Sequence, residues 1–343
     1  MTANYLLVAH ADESLVTLIN AQTLRPVRDF ELPGRIAVLG RSSDGQYGFV
    51  VHRDDDCVSI ISANNENILA IVNTGSQPTH FHSHDGKSLI FNDGSGDIAI
   101  FDETKLPHFR QYKVTQPDHG SALLLGDSML VGYLRLGAVE VYKKDALRPS
   151  QMYDCCPMLH GATQHLDTAY FGCGDGVLLL KLNDGHVTMS KISNPVDTTD
   201  RVRVGSFATH PDASVVFGNF GQGIAVIDSK ADTIKVISLP ASPLKFSFDS
   251  RGKRIFALTS DGQFLILSLE GHIEHQVQVA EAVDAPKGPD KKRRPTFATD
   301  ADWVYVVDPQ QHKLSKLTVS EFTMKQRVSL NFKPSTAITL RCS

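Results

Sequence analysis

"VGSFATHPDASVVFGNFGQGIAVIDSKADTIKVISL", residues 204–239, decides the fold. Three short apolar runs stand between polar or Gly-containing turns, and "IAVID" and "IKVI" carry the β-branched residues that favour strands. The same order recurs at 36–72 in "IAVLGRSSDGQYGFVVHRDDDCVSIISANNENILAIV" and at 78–114 in "PTHFHSHDGKSLIFNDGSGDIAIFDETKLPHFRQYKV". Weaker copies start at His119, Met158, Leu244 and Pro295. Each copy reads as strand, tight turn, strand, turn, strand, and then a fourth strand. A unit of roughly 40 residues with four strands is the signature of a β-propeller blade. No segment carries a sustained helical period, so the chain is all-β.

The two ends of the sequence complete the count. Residues 5–32, "YLLVAHADESLVTLINAQTLRPVRDFEL", supply three strands, and "STAITLRCS" at 335–343 supplies a spare one. Pairing the last strand into the first blade closes the ring and removes a sheet edge that would otherwise be exposed. The count is then eight blades, or seven if one weak repeat is an insertion, and residues 1–343 read as a single propeller domain. The Pro- and Lys-rich stretch "EAVDAPKGPDKKRRP" at 281–295 falls between the seventh and eighth units and is expected to be a long loop, with docking as its candidate role.

The composition is that of an ordinary soluble chain: 343 residues, 41% hydrophobic, with a formal net charge of -4. A mildly acidic balance argues against a nucleic-acid partner. No apolar run reaches the length of a membrane span, so no membrane insertion is expected. As given, the sequence opens without an export signal. Five cysteines are too few and too scattered for a disulfide scaffold or a zinc ribbon.

The histidines are the candidate chemistry. "PTHFHSHDG", residues 78–86, places His80, His82 and His84 at alternate positions, so on a strand they share one face. The first strand of each blade lines the channel, and His80 lies at the start of that strand in the third unit. His119 in "PDHGSALL" and His160 in "PMLHGATQ" occupy comparable places in the fourth and fifth units. Three consecutive blades are therefore expected to send one imidazole each toward the same end of the channel. His82 lies deeper on the strand of His80, and Asp118 stands beside His119 as a candidate oxygen donor. Nitrogen-rich ligation without thiolate suits Zn2+. The plainer reading of the same residues is a polar, hydrogen-bonded channel lining. His84 and His210 precede turns and read as structural, and His10 in "LVAHAD" reads as a surface residue. "HRDDDC" at 52–57 lacks the Gly and terminal Glu of a calcium loop, and no helix follows "GCGDG" or "DGSGD" to make a phosphate cradle.

On "PTHFHSHDGKSLIFNDGSGDIAIFDE", "HGSALLLGDSMLV", "CPMLHGATQHLDTAYFGCGDGVLLL" and "GNFGQGIAVID", the sequence resembles the AztD-type zinc metallochaperones, periplasmic propeller proteins that hand zinc to the solute-binding protein of a bacterial zinc ABC importer. The paired "CPMLHG" and "FGCGDG" elements are the most distinctive part of that resemblance. It implies a high-affinity zinc site that maps onto His80, His119 and His160, a periplasmic location, no enzymatic activity, and a solute-binding protein as recipient. Monomeric behaviour is expected as well. The His-rich N-terminal segment that some members look to carry is not seen in the sequence as given, so a second, accessory metal site is not expected. Within this frame Cys156 and Cys173 read as a disulfide, with pairing through Cys155 as the alternative, and an oxidising periplasm would permit it. Two other classes stay open on the residues alone. One is a zinc-dependent propeller hydrolase of lactonase type, which needs a general base, and Asp118 is the one carboxylate placed for that role. The other is a metal-free propeller that binds a protein partner through its loops.

Overall fold

The computed structural model describes residues 3–196, 198, 202–284 and 293–343. Among them the chain forms eight four-stranded antiparallel sheets arranged as propeller blades. Seven blades are contiguous in sequence, from inner to outer strand: residues 38–73 (II), 78–113 (III), 120–153 (IV), 162–193 (V), 207–238 (VI), 243–278 (VII) and 296–329 (VIII). Blade I is shared between the chain ends. Its inner strand is Pro334–Leu340, which pairs antiparallel with Tyr5–His10 through Tyr5↔Leu340 and Val8↔Ala337. The weak repeats are each a complete blade, so the number is eight.

The eight inner strands touch one another in sequence around the ring, and the contact between Pro334–Leu340 and Val38–Arg41 closes it. Radial position explains the burial pattern of each strand. The second and third strands of a blade are covered on both faces by neighbouring blades, and they read as continuous apolar runs such as Leu6–Ala9 and Val177–Leu180, which are buried. The outermost strands alternate, as in Asn67–Asn73 and Met324–Ser329, because one face meets a neighbouring blade and the other meets water. Eight hydrophobic clusters fill the eight gaps between blades; Phe49, Val58 and Ile60 of blade II, for example, pack on Ile90, Ala99 and Phe101 of blade III. The hairpins use the residues their backbones require. Asp85 and Gly86, at φ 48° and 69°, form the turn after the histidine-bearing strand, and positive φ at both positions is the condition Asp-Gly meets.

Cys156 and Cys173 are joined in a disulfide with a Cα–Cα distance of 4.8 Å. The bridge ties the entry of blade V's inner strand to the end of its second strand, across the hairpin at Leu166. Cys155 stays free, which settles the pairing between the two neighbours. Cys57 is a buried strand residue, and Cys342 lies beyond the closing strand and is half-buried. Replacing both bridged cysteines by serine is expected to lower unfolding stability by about 3 kcal/mol, the chain-entropy value for a loop of roughly 15 residues. Urea unfolding of the double variant against the parent would check it, and an unchanged midpoint would count against a stabilising role.

The stretch at 281–295 connects Ile273–Gln278 of blade VII with Thr296–Thr299 of blade VIII. Its residues 285–292 lie outside the described residues, and so does the docking role read from them. No helix among the described residues is long and apolar enough to cross a membrane.

Candidate metal centre

His80, His119 and His160 meet at one mouth of the channel. His80 is the third residue of the inner strand Pro78–His84, His119 immediately precedes the inner strand Gly120–Leu125, and His160 lies two residues before the inner strand Ala162–His165. Entering three consecutive inner strands from the same side brings the rings together. Their centroids are 4.7 Å apart for His80 and His119, 5.5 Å for His119 and His160, and 6.1 Å for His80 and His160. The Nε2 atoms of His80 and His119 are 3.1 Å apart. At that distance one ring nitrogen donates to the other, so both Nε2 atoms point into the space between the rings. Nitrogen donors on a tetrahedral zinc ion would be about 3.3 Å apart, given Zn–N bonds of 2.0–2.1 Å. The pair therefore needs to open by only a few tenths of an ångström to admit such an ion. Among the described residues, no three His, Cys, Asp or Glu side chains are already spread around a common point as ligands. The three rings are packed on one another instead.

A carboxylate orients the cluster. His119 Nδ1 lies 2.7 Å from Asp93 Oδ2, and the same oxygen accepts from Arg53 Nη1 at 2.7 Å. With Nδ1 committed to the carboxylate, His119 presents Nε2 to the cluster, the arrangement that fixes ring tautomer and orientation in histidine–metal sites. His160 is anchored likewise, its Nδ1 3.3 Å from the carbonyl oxygen of Gly205. Burial alone would push the Asp93 carboxyl up, but hydrogen bonds from His119 and Thr79 and the charges of His119 and Arg53 outweigh it and hold the pKa below the ordinary value. The other Asp93 oxygen, Oδ1, is buried without a hydrogen-bond partner and leaves one unsatisfied acceptor beside the rings.

Two expected members are absent from the cluster. Asp118 is buried, and both its oxygens are engaged: Oδ1 accepts from the His119 amide at 2.7 Å and Arg135 Nε at 2.9 Å, and Oδ2 from the Arg135 amide at 3.0 Å. Its role is to shape the loop that carries His119, so the oxygen-donor expectation for Asp118 is corrected, and Asp93 is the carboxylate at the rings. His82 does not touch the three rings either. It lies further along the channel, where it lines a cavity of about 120 Å³ with His84, Thr163 and Gln164. His10 is also corrected. It is buried, stacked on Phe332 at 3.8 Å between centroids, and bonded to Glu13 and Thr17. His210 is structural as expected, its Nδ1 accepting from the Asp212 amide at 3.2 Å.

Sequence reasoning missed Asp93 and Arg53. Asp93 opens "DGSGD", which read only as a turn, and Arg53 opens the acidic run after His52. A weak signal for the site was the dipeptide His-Gly, at His119-Gly120 and His160-Gly161. In both cases the backbone beyond the imidazole passes too close to a carbonyl for a side chain: an added Cβ would lie 2.3 Å from Gly132 O at Gly120 and 2.4 Å from Gly205 O at Gly161.

Burial, followed by the neighbouring histidines, lowers the pKa of His80 to about 3, and burial lowers that of His82 to about 4. The unfolded chain takes up these protons near pH 6.5, whereas the folded protein refuses them until pH 3 to 4. Stability is therefore full above about pH 6.5 and falls as pH drops through that window. A series of thermal melts of metal-free protein from pH 7 to pH 4 should show a falling midpoint, with a shallower fall in His82→Asn. A flat profile would contradict the burial of these rings.

Fold and site together define an eight-bladed β-propeller with a histidine triad from consecutive blades at one channel mouth. No family model matches the chain. In sequence it is similar to the zinc chaperone AztD of Citrobacter koseri, 25% identical over 376 aligned positions that cover 97% of this chain and 86% of that protein. In fold it is similar to the crystal structure of Citrobacter koseri AztD, at TM-score 0.90 and 21% identity, covering 100% of this chain and 99% of the other. The apo form of AztD from the same organism gives TM-score 0.86 at 22% identity, covering 99% of this chain and 98% of that one. The resemblance carried by the central motifs thus extends along the whole chain.

Proposed function

We propose that this protein is a zinc metallochaperone. His80, His119 and His160 bind Zn2+ at the channel mouth, and the ion passes to the solute-binding protein of a bacterial zinc ABC importer in the periplasm. The observation that carries the reading is the convergence of three imidazoles from three consecutive blades, one of them oriented by a buried carboxylate. Similarity to a named zinc chaperone supports the choice of metal and of role. Three neutral nitrogens leave one position on a four-coordinate zinc ion for water or an incoming partner ligand. A recipient side chain entering there can displace the histidines one at a time, so the ion need never be released to solvent. Asp93 holds His119 in the binding tautomer and moderates the charge of the loaded site. The hydrolase reading loses its general base, because both Asp118 oxygens are committed to the loop.

Titration of metal-stripped protein with zinc against a competing chelating dye tests the reading. One tight site per chain is expected, weakened about 10- to 100-fold in Asp93→Asn, the usual cost of losing a carboxylate behind a ligating histidine. Absence of tight zinc would overturn the proposal and favour a metal-free scaffold. For transfer, zinc-loaded protein mixed with the apo solute-binding protein should deliver its ion in the presence of a strong chelator. Complete interception by the chelator would mean release rather than handover.

A further inference from the structure

Far from the histidines, a cavity of about 570 Å³ opens between blades III and IV. The inner strand Pro78–His84 runs from the histidine mouth to the turn at Asp85 and Gly86, so Lys87 and the connection that leaves Asp102, which both line the cavity, belong to the opposite face. The walls are the connections from third to fourth strand. These take six residues in blade III, 103–108, and seven in blade IV, 144–150, against two to five in the other six blades. Two neighbouring blades thus carry the two longest such loops, and Lys105 and His108 on one side face Lys144 and Ala146 on the other across a single hollow.

The floor of the hollow is carbon. Ile100 and Leu124 are half-buried against the cluster that holds Met129 and Tyr142, and all four line the cavity together with Phe109. Tyr142 contributes its ring and not its hydroxyl, which donates to the buried carboxylate of Glu140 at 2.7 Å. Charge stands around the rim. Lysine and arginine outnumber aspartate among the lining residues by five to three, in a chain whose net charge is -4. Asp102 is taken by Lys87 at 2.9 Å, and Asp145 lies 3.7 Å from Arg110. Lys143 and Lys144 are exposed, and among the described residues neither meets a carboxylate at ion-pair distance; Lys143 donates to the Gly185 carbonyl at 3.0 Å. Asp127 is the third lining carboxylate, also exposed, so the rim is net positive. Exposed charges are screened by salt, so the apolar floor carries the affinity and the lysines select the sign of a head group. A concave site of this volume, mostly apolar with a few polar groups at its edge, has the form of a small-ligand site.

We propose that this hollow binds an amphipathic organic anion, its apolar body lying on Phe109, Leu124 and Met129 and its acidic head group beside Lys143 and Lys144. The site is independent of the zinc reading, because it lies on the other face of the ring and away from the channel. Fluorescence titration of metal-free protein with anilinonaphthalene sulfonate tests it, followed by displacement of the dye with octanoate, with naphthalene sulfonate and with uncharged octanol. One saturable site per chain is expected, with a dissociation constant of about 100 μM or tighter for the dye. Displacement by octanoate assigns chain-like carboxylates, and displacement by naphthalene sulfonate alone assigns flat aromatic anions. Octanol displacing the dye as effectively as either anion would overturn the anionic assignment. Ala146→Trp, which places a bulky ring in the hollow from its loop wall, should abolish binding. Lys143→Gln combined with Lys144→Gln should weaken it severalfold and flatten its salt dependence. Both variants should melt cooperatively at the parent's midpoint, which excludes dye bound to loosened protein, and should keep the parent's zinc affinity. No saturable dye binding by the parent, or unchanged affinity in these variants, would overturn the proposal.

Discussion

His119→Ala is expected to abolish tight zinc binding while leaving the propeller folded. The loss should exceed the 10- to 100-fold that removal of an outer-shell partner costs, because two things go at once. One nitrogen donor is deleted, and Asp93 loses the ring it orients, so its carboxylate is left with Arg53 beside the two remaining imidazoles. The fold should survive because His119 sits at the entry to an inner strand, only part-buried, and belongs to none of the clusters between blades. Dye competition gives the affinity, and a thermal melt of the metal-free variant reports the fold. Zinc affinity within tenfold of the parent, in a variant that melts normally, would remove His119 from the site and the proposed function with it. His160→Ala should behave similarly, since its anchor is the Gly205 carbonyl at 3.3 Å.

Truncation after Lys333 is expected to leave no folded monomer. The deleted segment holds the inner strand of blade I, with Ala337 and Leu340 buried against neighbouring blades. Its loss uncovers the backbone edge of Tyr5–His10, whose side chains from Leu6 to Ala9 are fully buried. It also opens the ring between Thr296–Thr299 and Val38–Arg41. A whole domain is stable by only about 5–15 kcal/mol, and removing an inner strand together with two blade contacts consumes that margin. The exposed edge is a template for pairing with other chains, so aggregation should accompany the loss. Size-exclusion chromatography and circular dichroism check the result. A shorter truncation after Leu340 keeps the ring closed and should elute and melt as the parent does; a cooperative melt in the longer truncation would refute the closure argument.

The architecture was legible in the sequence because propeller blades repeat. Each strand triplet carries its own turn residues, and the three-strand N-terminal segment with a spare C-terminal strand fixes the closure. The histidines were legible for the same reason: once the unit is known, His80, His119 and His160 fall at one place in it. What the pattern could not give was which neighbour supports them. Asp93 reaches His119 from the preceding blade, and Arg53 reaches Asp93 from the blade before that, so neither contact is local in sequence. Proximity in the chain favoured Asp118 instead, yet an acidic residue directly before a turn finds backbone amides to accept before it finds a ligand. His10 misled for a related reason. A polar residue at a strand end reads as surface, whereas stacking on Phe332 and bonding to Glu13 and Thr17 accommodate it in the interior.

The relay from Arg53 through Asp93 to His119, with His80 and His160 at its end, runs through blades II, III, IV and V. An ion held at its end would add a clasp to the hydrogen bonds that already link these sheets, so occupancy and rigidity would rise together in one half of the ring. Binding that favours the folded state adds RT ln(1 + [L]/Kd) to its stability, about 4 kcal/mol at a thousandfold excess over Kd. The cargo would then report its own presence. A loaded chain would differ from an emptied one in the slow amide exchange of blades II to V, while that of the other half of the ring stayed unchanged.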